Sequence, residues 1–300
     1  MATAPETLCA TADFGAEQRE VLRLPAKDGH HLGATLHIPI QNSKFKIQNS
    51  VLLLPGWSGP RTGPAELLVF LAIRLAAVGH TVLRLDFHGR GDSNGRFEEC
   101  DLDRMISDAA CGFDFLQFKI QNSKFKMVVG GICSGSNVAL GLAALKPNEV
   151  HAVAALSALP FQPARSENFE RRRRWKNLKQ YASKALQPAT WAKLARGEVN
   201  VERVKKNLAA SEKQGAGERN RKDSARDIES ELLAWKGRAL FVWGSGDEEA
   251  APAQAHFERL HAAGCAASAT FESIPDANHN FYGQVWREKL AAKVLAFAAL

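Results

Sequence analysis

Gly131-Ile132-Cys133-Ser134-Gly135 is the stretch on which the fold of this chain turns. It follows an apolar run, Met127-Val128-Val129-Gly130, and opens a helical pattern carried by Val138, Leu140, Leu142 and Leu145. A strand, a sharp turn and a helix in that order are the context of the G-x-S-x-G nucleophile elbow, here with cysteine at the serine position. The flanking glycines have a steric reason. The turn holds the nucleophile in strained backbone geometry and brings neighbouring chain close, so side chains at 131 and 135 would clash. The register admits a single nucleophile, because Ser134 or Ser136 in that role would put Ile132 or Ser134 where glycine is needed. Taken alone, the pentapeptide also reads as a buried cysteine beside a glycine-rich turn.

Downstream residues supply partners for Cys133. Arg238-Ala239-Leu240-Phe241-Val242-Trp243 reads as a buried strand and runs into Gly244-Ser245-Gly246-Asp247. A second run, Ala269-Thr270-Phe271-Glu272-Ser273-Ile274, is followed by Pro275-Asp276-Ala277-Asn278-His279, and a helix from about Gly283 closes the chain. Cys133, Asp247 and His279 each fall on a loop after a predicted strand. Singly, Asp247 reads as a turn residue and His279 as a helix-cap residue. Together they follow the order nucleophile, acid, histidine, which is similar to that of the α/β-hydrolases.

The upstream half strengthens that resemblance. Val51-Leu52-Leu53-Leu54-Pro55-Gly56-Trp57 reads as a buried strand ending in a Pro-Gly turn. A helix over 65–78 and a strand over 81–86 lead into Asp86-Phe87-His88-Gly89-Arg90-Gly91-Asp92-Ser93. This D-x-x-G-x-G-x-S turn resembles that of many α/β-hydrolases, and it gives the tripeptide Arg90-Gly91-Asp92 a structural reading rather than a cell-adhesion one. The resemblance covers about residues 20–160 and 237–300. It implies an α/β-hydrolase fold: a mostly parallel central sheet flanked by helices, with a helical cap insertion. It also implies an oxyanion hole made by the backbone N–H groups of Trp57 and Ser134. Within the superfamily, Asp101-Leu102-Asp103-Arg104-Met105-Ile106-Ser107-Asp108, Tyr181 with the stretch 191–198, and the elbow cysteine resemble the hydrolases associated with exosortase systems. That group implies an acidic residue after the cysteine, where this chain has Ser134. Dienelactone hydrolases are similar in using cysteine at the elbow.

At 300 residues the chain is long enough for one large α/β domain plus an insertion. No apolar run reaches the ~18–20 residues a membrane helix needs, and residues 1–11 lack a charged leader with an apolar core. Five scattered cysteines (Cys9, Cys100, Cys111, Cys133, Cys265) without a CxxC pair speak against a disulfide framework or zinc site and for a cytoplasmic protein. No dinucleotide or P-loop pattern occurs, so no cofactor and no metal is expected.

The core is expected over 1–159 and 237–300, with a basic helical cap or lid over 160–236. That insert holds 19 Lys and Arg against 10 Asp and Glu, a net charge of +9, whereas the whole chain is +7. Its run Arg171-Arg172-Arg173-Arg174-Trp175 reads either as a solvated helical face or as a surface that attracts an anionic acyl substrate. Without aromatic interleaving, nucleic acid is not expected as a partner. Two further segments, 40–50 and 118–126, carry the repeating heptapeptide KIQNSKF. All three reading frames of one seven-nucleotide unit encode it, and structural repeats have longer periods. Both copies are expected to be surface-loop insertions without a role.

The chemistry follows from the three residues. Cys133 at a helix N-terminus beside an imidazole would hold a lowered thiol pKa. His279 would manage the proton and Asp247 would orient His279. The expected activity is hydrolysis of a carboxylic ester or related acyl bond through a thioester on Cys133. The alternatives are an acyltransferase or thioesterase on the same residues, or a catalytically silent binding protein that kept the fold. The sequence names no substrate-binding residue.

Overall fold

The computed structural model describes residues 7–26, 28–40, 49–120, 126–161 and 221–299. Three strands, β1 (Thr7–Phe14), β2 (Glu17–Pro25) and β3 (His31–Pro39), form an antiparallel ribbon. β3 docks antiparallel on β5 (Thr81–Leu85), which lies parallel to β4 (Asn49–Leu54). From β4 the sheet continues in parallel through β6 (Lys126–Ile132), β7 (Val150–Leu156), β8 (Arg238–Gly244) and β9 (Ser268–Ile274). The order across the sheet is β1-β2-β3-β5-β4-β6-β7-β8-β9.

The helices explain why β4, β5 and β7 read as nearly continuous apolar runs: parallel strands are covered on both faces. Alternate side chains point to opposite faces. Val51 and Leu53 join a core with Leu71 and Leu75 of α1 (Leu67–Ala77) and Leu290 and Val294 of α6 (Gln284–Ala298). Leu52 and Leu54 join the other core, which includes Phe113 of α2 (Leu102–Ile120) and Val138 and Leu142 of α3 (Ser134–Leu145). Leu232 of α4 (Ile228–Leu232) and Phe257 of α5 (Ala250–Ala262) complete that second core. Each buried leucine contributes roughly 1.5–3 kcal/mol, so the two cores together hold the sheet between its helical layers.

β5 lies on one side of β4 and β6 on the other. The winding therefore reverses between β4 and β6, and the carboxyl ends of these two strands border the crevice in which open α/β sheets bind their ligands. Cys133 and Trp57 follow those two ends.

The segment boundaries differ from the sequence expectation in three places. Asn49 and Ser50, expected in the first loop insertion, open β4 and are buried. Asn49 Nδ2 donates to Ala298 O at 2.7 Å, and Asn49 Oδ1 accepts from Lys126 N at 3.1 Å, so the last residues of the first repeat are part of the sheet. In the second copy, Phe118, Lys119 and Ile120 continue α2 and Lys126 opens β6. The remainders of the two expected insertions, 41–48 and 121–125, lie outside the described residues, as do 162–220 of the expected cap. At the end of that insert, 224–236 packs with the core: Leu232 and Trp235 are buried, and Trp235 Nε1 donates to Val150 O at 2.7 Å. No described helix is long and apolar enough to cross a membrane.

Candidate active site

β6 delivers the chain to Cys133, whose backbone has φ 55° and ψ −124°, a conformation that L-residues rarely adopt. The two flanking glycines have a measurable reason. A Cβ on Gly131 would stand 2.1 Å from Gly135 O, and one on Gly135 would stand 2.4 Å from the carbonyl oxygens of Leu54 and Pro55. Cys133 N donates to Leu156 O at 2.8 Å, which ties the elbow to the end of β7. The serine three residues on is committed elsewhere, since Ser136 Oγ lies 2.7 Å from Gly131 O and 2.8 Å from Leu156 O and shares its one proton between them.

The loops after β8 and β9 are zipped together. Ser245 N donates to Ile274 O at 3.0 Å, Gly246 N to Ala277 O at 2.9 Å, and Asp276 N to Ser245 Oγ at 2.8 Å. This pairing brings Asp247 Oδ2 to 2.6 Å from His279 Nδ1. The other imidazole nitrogen is left for Cys133, and the two side chains are close enough to shift each other's protonation. Cys133, Asp247 and His279, read from the sequence as partners, therefore meet at the carboxyl edge of the sheet.

The electrostatics follow from these contacts. Burial pushes the Cys133 thiol up, but the hydrogen bond and charge of His279 and the Ser134 backbone N–H outweigh it, so the pKa falls below the ordinary thiol value. His279 is raised to about 9, chiefly by its hydrogen bond to Cys133, with burial opposing and Asp247 adding to the rise. The pair therefore favours thiolate and imidazolium. Cys265 shows the contrast: burial alone dominates there and pushes its thiol up to about 11.

Ser134 follows Cys133 directly, and the chain just before Trp57 passes close to it. Ser134 is the first residue of α3, and its backbone N–H helps to lower the Cys133 thiol pKa. A Cβ on Gly56, the residue before Trp57, would stand 3.6 Å from Cys133 Cβ. Two anchors of the Trp57 loop were not legible in the sequence. Arg90 is buried, donates from Nε to Trp57 O, and places its guanidinium 5.2 Å from the centre of the Trp57 ring and 4.6 Å from that of Phe97. Buried Asp86 accepts from Arg61 N and from Arg61 Nη1, while Ser93 Oγ closes the turn on Asp86 O at 2.8 Å. The D-x-x-G-x-G-x-S pattern held both signals: its acid and its arginine serve the neighbouring loop.

Asp28, His30 and His88 bring metal-ligand types of atom within 4.8 Å of one another. Arg104 Nη2 stands 2.6 Å from Asp28 Oδ2 and 2.9 Å from His88 Nδ1, so a positive charge already occupies that cluster.

Residues 51–293 match the model of the alpha/beta hydrolase family. Among solved structures, the chain is similar to a dienelactone hydrolase of Anabaena variabilis, with a TM-score of 0.60 and 17% identity over 94% of this chain and 96% of that one. An esterase of Pyrococcus furiosus is similar at a TM-score of 0.62 and 18% identity, covering 96% of this chain and 94% of that one. Est1E of Butyrivibrio proteoclasticus, solved with ferulic acid bound, is similar at 0.59 and 16%, covering 92% and 96%. At these identities the likeness is one of fold. No curated protein matches the sequence.

Proposed function

We propose that this chain, which belongs to the alpha/beta hydrolase family, cleaves a carboxylic ester or related acyl bond with Cys133 as nucleophile, His279 as proton carrier and Asp247 as its orienting acid. The observation that carries the reading is the Asp247 carboxylate 2.6 Å from the His279 imidazole, which in turn interacts with Cys133, the cysteine holding a positive φ at the start of α3.

In this reading the Cys133 thiolate attacks the carbonyl carbon, a C–S bond forms, and the carbonyl electron pair moves onto oxygen. The backbone N–H groups of Trp57 and Ser134 stabilise that oxyanion. Collapse breaks the C–O bond, and the departing alkoxide takes its proton from the imidazolium of His279. The neutral imidazole then removes a proton from water, which attacks the thioester. Collapse of this second tetrahedral intermediate breaks the C–S bond and releases the carboxylic acid, leaving the thiolate beside an imidazolium that keeps the proton taken from water. Asp247 holds the imidazole in one tautomer and stabilises its charged form. The net charge of +9 over 160–236 supports an anionic acyl ester as the substrate class.

The test is turnover of a panel of esters that vary in chain length and charge, measured for the wild type, Cys133→Ala and Cys133→Ser. Ester cleavage by the wild type, loss in the alanine variant and a weak residue in the serine variant are expected. Undiminished cleavage by Cys133→Ala would remove the cysteine from the mechanism.

A further inference from the structure

At the end of β7, four consecutive residues bond to the elbow and its helix, to the loop of His279 and to the strand that leads to Asp247. Leu156 O accepts from Cys133 N at 2.8 Å and from Ser136 Oγ at 2.8 Å, which fixes the nucleophile elbow. Ser157 N donates to Val242 O at 2.8 Å, and Ser157 Oγ donates to the backbone carbonyl of His279 at 2.7 Å. Ala158 O accepts from Trp243 Nε1 at 2.9 Å, on the strand that leads to Asp247. Leu159 O accepts from Asn137 Nδ2 at 2.8 Å, one turn into the helix that Cys133 begins.

Ser157 is the hinge of this run. It is fully buried, and its φ of 48° lies in the left-handed region, which a non-glycine residue holds only when surrounding contacts over-determine it. That conformation ends the β7 ladder and turns the next two carbonyls sideways, toward β8 and α3. Every hydrogen bond in the set spans a long sequence separation; the Ser157–His279 bond joins residues 122 apart. Backbone groups at the β7 end need partners once buried, and an ordinary strand end would find them locally or in water. Here they go to the three elements that must keep register with one another.

We propose that residues 156–159 are the positioning element of the site, with Ser157 as the positioning residue that sets the main chain of His279. This rests on the reading of Cys133, His279 and Asp247 as the reacting set. Ser157 touches no reacting atom. Its hydroxyl fixes the backbone from which the imidazole projects, and small displacements of a reacting group cost heavily: about 1 Å can lower a rate by ~100-fold.

The experiment compares Ser157→Ala and Ser157→Gly with the wild type. Both remove the hydroxyl, and glycine also relaxes the positive φ, so a loss common to both belongs to the hydrogen bond rather than to strain or misfolding. Each variant is assayed for ester turnover and for the pH dependence of Cys133 alkylation by iodoacetamide. Expected are a fall in kcat of about 10- to 100-fold with KM within about twofold, and an alkylation profile shifted to higher pH as the imidazolium withdraws from the sulfur. A merely structural hydroxyl would lower the melting temperature and leave the alkylation profile in place; that result, or wild-type kcat in Ser157→Gly, would overturn the proposal. Cys133→Ala measured alongside separates the two levels. Turnover surviving there would remove the triad reading itself. An inactive Cys133→Ala with unchanged Ser157 variants would remove only the positioning role.

Discussion

His279 Nδ1 lies 2.6 Å from Asp247 Oδ2, while Asp247 Oδ1 accepts the backbone N–H of Glu249 at 3.1 Å. The carboxylate is thus clamped on one oxygen and aimed with the other. Glu248 and Glu249 stand next to it in sequence but are exposed. Asp247→Asn is expected to lower kcat by orders of magnitude, since the corresponding change in a serine protease costs ~10⁴-fold. Glu248→Gln should stay within a few-fold of the wild type. Comparable losses in the two variants would take the acid's role away from Asp247.

The pH dependence follows from the same contacts. With the thiol held below its ordinary value and His279 raised to about 9, the ion pair forms below the range in which a free thiol titrates. kcat/KM should therefore rise as the thiolate forms on the acid side and fall again as the imidazolium loses its proton near pH 9. Both apparent values belong to the pair rather than to either residue. Asp247→Asn removes a contact that raises His279, so its alkaline limb should move to lower pH. A single rise near ~8.5, the value of a free cysteine, with no alkaline fall would mean that no ion pair exists.

The elbow and its partners were legible because each depends on local chemistry. Gly131 and Gly135 are required because a Cβ on either would run into backbone, and Cys133 and Asp247 follow apolar parallel strands while His279 follows one that alternates. The ribbon β1-β2-β3 left no comparable trace, since Arg19, Glu20 and Arg23 interrupt β2 and its pairing is antiparallel and partly solvated. Ser157 was equally invisible. Its importance lies in a bond to a residue 122 positions away, and nothing in Leu156-Ser157-Ala158 signals a positive φ. Arg90 and Asp86 sat inside a recognised turn, but their service to the Trp57 loop is a tertiary fact.

The repeats offer a graded test of where insertion ends and sheet begins. Replacing 41–48 with a short Gly/Ser linker should change the melting temperature little, because its Lys, Gln and Asn residues suit solvent and loop length costs little. Asn49→Ala is expected to behave differently. It would leave Ala298 O and Lys126 N without their side-chain partner, a loss of about 1–3 kcal/mol in a denaturant titration. Equal stability of Asn49→Ala and the wild type would show that the bridge between β4, β6 and the end of α6 carries no weight.

If the charge over 160–236 draws in an anionic acyl ester, neutralising 171–174 should raise KM for anionic esters and spare neutral ones. Attraction of this kind is screened over ~10 Å at 0.1 M salt, so added salt should reproduce the effect on the wild type. Identical kinetics for matched neutral and anionic esters across a salt series would reduce the run to a solvated face.

The most direct measurement is mass spectrometry of the enzyme quenched in acid during turnover of a slow ester. An added acyl group on the peptide containing Cys133, absent from Cys133→Ala and lost on dilution into substrate-free buffer, is the expected result. An acyl group on Ser134 or Ser136, or steady turnover by Cys133→Ala, would contradict the assignment of Cys133 as the nucleophile.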